Sequence, residues 1–591
     1  MCGIVALLGR GQPGACERVL AGLRHRGPDG SGSLDLGPCS LAMARLAILD
    51  PTARADQPMS WEGRHLVYNG EVYNFRSLRA ELRAEGVPFR TTGDTEVVLK
   101  ALARWGVAAC ERFSGMFAFA FWDEREQELT IGRDRYGIKP LYWRPLLTGG
   151  IAVASEATPL ASIEPVRPRL HAVREFLRFG SPISSSIYED VVEVEPGTTT
   201  TWLADGSCRT STFGRRSDSL DNPAAALRDE SASLLLSDRP VALFLSGGFD
   251  SALVAATTDG AKPVAITLAT SGNAEEVERA KATATHYGLE HQICPVSTAG
   301  ARRLLGEFLD AMDQPTIDGF NSFLVSRAAV EAGFPVALSG LGGDEVMGGY
   351  GYYRWRREVD VVSTVLRYSP ARVRSAMAMI GGRLVHRGPS EMAAVLTARS
   401  LPERHRAWRT LFTAAEVERL TGSDAEPSLQ WVCDPAESAD AQLARLDFRT
   451  YLRPTLLRDT DVFSMANSVE VRVPLLHERF VSAMRAPDRP ATKAALADSL
   501  GDDYLRHLAR KPKLTFSLPW RTWIASVRTD QAEILDDEDP WRGLLDPVEA
   551  RRMMAEPTAR VTDALRSWAL LVLAVWLARA PASRRLRGRR L

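Results

Sequence analysis

Between residues 205 and 225 the rhythm of this chain changes, and that change limits its architecture more than any other feature. Before it, short apolar segments are separated by Gly, Pro and Asp. Gly115-Met-Phe-Ala-Phe-Ala-Phe-Trp122 alternates large and small side chains, the pattern of a strand with two different faces. Further strands are expected at 41–49, 64–69, 128–133, 140–143 and 151–154. Two helices interrupt them, one with Phe75, Leu78 and Leu82 on a single face, the other with Val98, Leu102 and Trp105. Antiparallel sheets flanked by helices account for this pattern. The stretch 205–225 is polar and reads as a linker. Beyond it, apolar runs at Val241–Leu245, Val264–Leu268 and Pro335–Leu338 alternate with helical segments, including one at 275–287. That alternation predicts a parallel sheet with crossover helices. After about residue 355 the pattern is almost entirely helical. A chain of 591 residues exceeds one ordinary core, so two units, 1–210 and 211–591, are expected.

Charge excludes one class of partner. There are 73 basic and 73 acidic residues, net zero, which leaves no electrostatic footprint for nucleic acid over the chain as a whole. The basic run at Arg584–Arg590 reads as a solvated tail. Seven cysteines are widely spaced without a C-x-x-C pair, so neither a disulfide framework nor a zinc site is indicated, and a reducing cytoplasm is expected. No secretory signal opens the chain. Trp568-Ala-Leu-Leu-Val-Leu-Ala-Val-Trp576-Leu is too short for a bilayer and predicts a buried helix, so no membrane association is expected.

Two segments carry chemistry. Cys2 follows the initiator methionine directly, and removal of Met1 would leave a thiol and a free α-amine on one residue. The α-amine titrates near ~8, so it is a proton acceptor beside its own nucleophile. This is the logic of an N-terminal nucleophile hydrolase. Far along the chain, Ser246-Gly-Gly-Phe-Asp250-Ser251 follows the strand Val241–Leu245 and opens a helix. Small residues let backbone amides converge on an anion, and the helix N-terminus adds partial positive charge. The segment lacks the Gly-Lys-Ser/Thr ending of a γ-phosphate loop. Gly9-Arg-Gly-Gln-Pro-Gly14 fits G-x-G-x-x-G, yet Pro13 and the missing βαβ unit make it a loop.

Together these motifs resemble the glutamine-dependent asparagine synthetase family over nearly the whole chain. The resemblance includes Arg26-Gly-Pro-Asp-Gly, Arg45-Leu-Ala-Ile, Asn69-Gly-Glu-Val-Tyr-Asn74, Gly93-Asp94-Thr-Glu, Ser339-Gly-Leu-Gly-Gly-Asp344-Glu345, Ser464-Met-Ala and Glu470-Val-Arg472-Val-Pro. It implies an αββα glutaminase domain joined to an α/β ATP-pyrophosphatase domain with a helical C-terminal part. It implies that Cys2 attacks glutamine, Asn69 and the Gly70 amide hold the oxyanion, Arg45 takes the α-carboxylate, and Glu71 and Asp94 take the α-ammonium. Read without the resemblance, Arg45 is a strand-end arginine, Glu71 a turn residue and Asp94 the cap of the helix after it. In the second domain Leu245, Ser246, Gly247, Gly248, Asp250, Ser251, Ser339 and Gly340 are implied to bind ATP, with Asp250 and Asp344 on Mg²⁺. Lys513 is implied to neutralise charge at the α-phosphate. The substrates implied are glutamine, ATP and a carboxylic acid, the products an amide, AMP, pyrophosphate and glutamate. A homodimer is compatible with the resemblance.

The chain also departs from the family pattern. Leu341 stands where aspartate-specific members carry Glu in Ser-Gly-x-Gly. Gln314 replaces a usual Glu, Asp459 and Val462 occupy positions often Lys and Arg, and Asn467 replaces a frequent His. The leading reading takes aspartate or another carboxylate as acceptor; these differences resemble relatives whose acceptor is not free aspartate, which makes a specialised-metabolite or polymer carboxylate an alternative. Ring-forming amide synthetases are the other alternative, although many of them lack the N-terminal cysteine. A phosphoribosylamine-forming glutaminase would need a different loop in place of 246–251.

Overall fold

The computed structural model describes residues 2–9, 14–203, 206–213, 222–258, 262–366, 368–384, 388–423, 437–485, 492–512, 541, 543–555 and 561–579. Lys513, most of the 9–14 glycine loop and the basic tail lie outside them. The first unit contains β1 (Cys2–Leu8), β2 (Gly30–Asp35), β3 (Cys39–Arg45), β4 (Met59–Trp61), β5 (Arg64–Val72), β6 (Gly115–Asp123), β7 (Glu128–Arg133), β8 (Tyr142–Pro145), β9 (Ile151–Ala154), β10 (Val192–Glu193), β11 (Thr198–Trp202) and β12 (Cys208–Thr212). They form two 6-stranded sheets, in the orders β10-β8-β9-β1-β3-β2 and β12-β11-β7-β6-β5-β4.

Alternation decides which faces meet. Ile4, Ala6, Leu41 and Met43 of the first sheet face Val67, Ala118, Ala120 and Ile131 of the second and close a core between them. The opposite faces are covered by helices. Phe75, Leu78 and Leu82 pack with Val98 and Leu102 over the second sheet, as their helical spacing predicts. The helices Ala15–Ala21, Ala157–Ala161 and Leu170–Phe179 contribute Val19, Leu160 and Phe176 over the first. The unit is therefore the expected αββα sandwich.

In the second unit β13 (Val241–Phe244), β14 (Val264–Ala269), β15 (His291–Pro295), β16 (Val336–Leu338) and β17 (Glu470–Arg472) form a 5-stranded sheet of order β15-β14-β13-β16-β17. All of its pairings are parallel. The order changes direction between β13 and β16, which is where open α/β sheets receive ligands beyond their strand ends. β17 lies in a region whose sequence pattern is helical. It joins the sheet with Glu470 and Arg472 fully buried and bonded to each other, so no apolar run announces it. β12 similarly lies within the polar stretch 205–225 and extends the second sheet.

The helix Val561–Arg579 has the length and apolarity to cross a bilayer, but here it packs inside the protein. Trp568 and Leu570–Ala574 are fully buried, and Trp568 donates to the Ile317 carbonyl at 3.3 Å. The apolar cluster it belongs to includes Phe176 and Tyr188 of the first unit, so one core runs through the seam. Charge also crosses the seam. Arg26, fully buried, reaches Glu156 at 2.7 Å in its own unit and Asp461 at 2.6 Å in the other.

Candidate active sites

β1 and β3 pair so that Cys2 lies opposite Arg45. β5, from the facing sheet, carries Asn69, Gly70 and Glu71 past the same end. The Cys2 backbone nitrogen donates to Asn69 Oδ1 at 2.9 Å. Asn69 is fully buried, and with Oδ1 so engaged its Nδ2 makes no hydrogen bond within the protein. A buried amide donor left unspent beside a thiol is costly unless something binds it. The next residue, Gly70, lies tight against β6: at φ +138° it is in the left-handed half of conformational space, and a Cβ there would fall 2.0 Å from the Met116 carbonyl oxygen. Burial pushes the Cys2 thiol up, while the amino terminus, a donated Leu46 amide and Arg45 pull it back.

Arg45 is anchored by the loop after its strand, donating to the carbonyls of Thr52 at 3.0 Å and Asp50 at 2.6 Å and to Asp56 at 2.6 Å. Its partner Asp56 is largely exposed. Asp94 stands at the start of the helix Thr95–Trp105 but makes no capping bond. It turns inward instead, accepting from Tyr68 Oη at 2.8 Å and from the Val72 amide at 2.9 Å. Glu71 and Asp94 are both buried carboxylates. Burial raises both, and their mutual repulsion raises Glu71 further. Two buried carboxylates repel unless a cation meets them, and Arg472 Nη2 stands 3.6 Å from Glu71 Oε1.

In the second unit, Leu245 follows β13 directly, its amide donating to the Ile266 carbonyl at 2.9 Å. The turn beyond it is held by Ser246 and Ser251. Their hydroxyls lie 2.9 Å apart, Ser251 Oγ accepts from the Ser246 amide at 3.1 Å, and Ser246 Oγ accepts from the Gly248 amide at 3.2 Å. Gly248 caps the helix Phe249–Thr257, which has no side-chain cap of its own. The neighbouring strand β16 delivers Ser339 and Gly340 alongside. A Cβ on Gly340 would come 2.7 Å from the backbone of Asp250 and Ser251, so the two loops touch only because that side chain is absent.

Asp250 and Asp344 come together as expected, and the sequence reading missed what lies between them. Lys493, at the first turn of the helix Lys493–Leu500, places Nζ 2.7 Å from Asp250 Oδ2 and 2.7 Å from Asp344 Oδ1. Burial would lower its pKa, but the two carboxylates outweigh burial and raise it. A lone lysine about 150 residues from one partner and over 240 from the other has no motif to reveal it. Among the described residues no group of three or more His, Cys, Asp or Glu could cage a metal ion. Two convergent carboxylates nevertheless fit Mg²⁺, which takes one or two protein carboxylates and shares the rest of its shell with water and phosphate. Burial also pushes the adjacent Glu345 up to about 7 despite the hydroxyl donated by Tyr350.

The departures separate by location. Leu341 follows Gly340 at this loop, its side chain half-buried against the core and its amide donating to Ser339 Oγ at 3.3 Å. Gln314 instead ties the two units together, accepting from the Ile187 amide at 2.8 Å and donating to Tyr142 Oη at 3.1 Å. Asn467 donates to the Phe323 and Phe463 carbonyls, Asp459 pairs with Arg458 and Thr316, and Val462 lies in the core. Those four are engaged in contacts within the protein, whereas Leu341 lies on the loop beside Gly340.

Comparison with known proteins gives each unit a family. Residues 1–213 match the glutamine amidotransferase domain family and residues 224–578 match the asparagine synthase family. A Mycobacterium tuberculosis protein that carries the provisional name glutamine-hydrolysing asparagine synthetase is 32% identical over 98% of this chain and 97% of its own length. Asparagine synthetase 1 of Bacillus subtilis is 26% identical over 98% of this chain and 96% of its own. Asparagine synthetase B of Escherichia coli is 31% identical over 56% of this chain and 60% of its own. This chain therefore belongs to the glutamine-hydrolysing asparagine synthetase family, as a glutamine-dependent amidotransferase.

Proposed function

We propose that the protein adenylates a carboxylic acid other than free aspartate and amidates it with ammonia drawn from glutamine at Cys2. The observation that carries the first half is the Cys2–Asn69 pair, with its unspent buried donor at Nδ2. After removal of Met1 the Cys2 amine would take the thiol proton. The thiolate adds to the γ-carbonyl carbon of glutamine, and the oxygen's charge is received by Asn69 Nδ2 and the Gly70 amide. The C–N bond then breaks with return of the proton, ammonia leaves, and water hydrolyses the thioester to glutamate. Arg45 would hold the substrate's α-carboxylate in its fork, and Glu71 and Asp94 its α-ammonium.

In the second unit the 246–251 turn and Ser339-Gly340 would receive ATP, with Asp250 and Asp344 holding Mg²⁺ and Lys493 beside them. Mg²⁺, when bound there, neutralises phosphate charge. An oxygen of the acceptor carboxylate attacks the α-phosphorus and pyrophosphate leaves. Ammonia then attacks the acyl carbon and AMP departs, leaving an amide. Lys513 would neutralise charge at the α-phosphate. The two units meet around a small cavity lined by Tyr73, Met116 and Ile138 from one and Leu234, Val473 and His477 from the other, and the reading expects ammonia to travel along this seam. The described cysteines are all free, which supports a reducing compartment such as the cytoplasm.

The choice of acceptor rests on Leu341. A substrate ammonium held beside a leucine rather than a glutamate would remain uncompensated, which costs several kcal/mol in a dry site, of order ~3. The test is pyrophosphate release with ATP, Mg²⁺ and glutamine across a panel of carboxylic acids including aspartate. The reading expects turnover with acids lacking an α-ammonium. Robust conversion of aspartate to asparagine would overturn the acceptor assignment while leaving the amidotransferase chemistry intact.

A further inference from the structure

β17 belongs to the synthetase sheet, yet its last residue faces the other site. Arg472 is fully buried. Its Nε donates to Glu470 at 2.6 Å, and Nη1 donates to the Leu234 and Leu236 carbonyls at 2.6 and 2.7 Å. These bonds leave Nη2 without a hydrogen bond, 3.6 Å from Glu71 Oε1. The guanidinium also sits over the Tyr73 ring, 5.8 Å from its centre. Its backbone is equally fixed, because the Arg472 carbonyl accepts from the Ser339 amide at 2.9 Å. A planar group held by three hydrogen bonds at Nε and Nη1 cannot move far, so the direction of Nη2 is set by the synthetase unit.

We infer that Arg472 is a positioning residue for glutamine recognition, supplied by the synthetase unit: its guanidinium holds Glu71 as an oriented carboxylate for the α-ammonium of the substrate. The inference rests on the reading of Glu71 as an ammonium-binding group. Besides Arg472, the groups that act on Glu71 include Asp94, Glu470, the hydroxyls of Tyr68 and Tyr73 and the amino terminus. Burial and the two carboxylates favour its neutral form, and Arg472 opposes them. A protonated Glu71 accepts an ammonium poorly. The glutaminase site is thus completed by a side chain from outside its own sandwich.

The probe is 6-diazo-5-oxo-L-norleucine, which presents the α-ammonium and α-carboxylate of glutamine and alkylates the catalytic thiol. Mass spectrometry of the full-length enzyme follows alkylation of Cys2, giving KI for recognition and kinact for thiol reactivity. Iodoacetamide, which lacks the amino-acid groups, reports whether the Cys2 environment is intact. Arg472→Gln is expected to raise KI about tenfold or more with kinact nearly constant, and KI should recover as pH rises and Glu71 ionises. Arg472→Lys should restore part of the loss by returning the charge without the fork. Glu470→Gln acts in the opposite sense, removing a like charge from Glu71, and should lower KI in the acidic range. That variant keeps the test decisive if Arg472→Gln does not fold. Glu71→Gln should raise KI at every pH. If Glu71→Gln impairs recognition while Arg472→Gln leaves KI within about twofold of wild type, the inference fails and the reading of Glu71 survives. An unchanged KI in Glu71→Gln would overturn that reading, and the inference with it.

Discussion

At the scale of single residues, the glutaminase site is defined by what Asn69 does with its two ends. Oδ1 is used in holding the nitrogen of Cys2, and Nδ2 is held in reserve. Asn69→Ala removes both functions, and loss of one oxyanion donor costs about 3–4 kcal/mol of transition-state stabilisation, or roughly 10²–10³ in kcat. Steady-state glutamate release should show that fall in kcat with a much smaller change in KM for glutamine. A matching loss in KM alone would assign Asn69 to substrate binding. Cys2, Asn69, Gly70 and Asp94 could be singled out in the sequence because their short motifs occur together; each residue type alone has ordinary structural uses, and only the fold shows that Cys2 and Asn69 meet. Lys493 was not legible, since a lysine acquires its role only when the fold brings Asp250 and Asp344 to it from distant loops.

At the scale of elements, the helix Arg458–Met465 and β17 decide how the units are joined. Asp461 on that helix pairs with Arg26, whose Nε also donates to the Cys2 carbonyl at 3.2 Å. Arg26→Met would take the shared guanidinium from two buried carboxylates, Asp461 keeping Lys139 at 3.6 Å and Glu156 keeping His25 at 3.0 Å, at a cost of about 3 kcal/mol. Denaturant melts should show this as a fall in midpoint. The same contacts set an acid limit. Burial would raise Glu156 and Glu470, but His25 and Arg26 bring the first, and Arg472 with the amino terminus and Lys139 the second, down to about 2 from an ordinary 4.5. Groups depressed on folding stabilise above their unfolded pKa, so this contribution is whole above pH ~4.5 and is lost as pH falls toward ~2. Melting temperatures should fall through that window, and Glu156→Gln should flatten the decline. β17 escaped sequence reading for the reason that makes it matter: buried charges that satisfy one another erase the apolar pattern from which strands are read. β6, with Met116–Trp122 buried, followed its alternation closely. β3 runs Cys39–Arg45 rather than 41–49, because Leu46, Ala47 and Ile48 are buried in a loop that continues the apolar run.

At the scale of the whole molecule, the two sites belong to one continuous body. The apolar cluster around Trp568 includes residues of both units, and buried ion pairs cross the same seam. The proposed transfer needs such a seam, since ammonia that stays out of bulk solvent remains unprotonated and reactive. With ¹⁵N-glutamine as donor and unlabelled ammonium added outside, the amide product should keep the glutamine nitrogen; free dilution of the label would contradict an enclosed passage. The most direct test of two cooperating sites is Cys2→Ala, assayed for amide formation with an accepted carboxylate, ATP and Mg²⁺, first with glutamine and then with ammonium. Glutamine-dependent synthesis should vanish while ammonium-dependent synthesis persists near the wild-type rate. Loss of both activities, or retention of glutamine use, would contradict the division of labour between Cys2 and the sheet beyond Ser246.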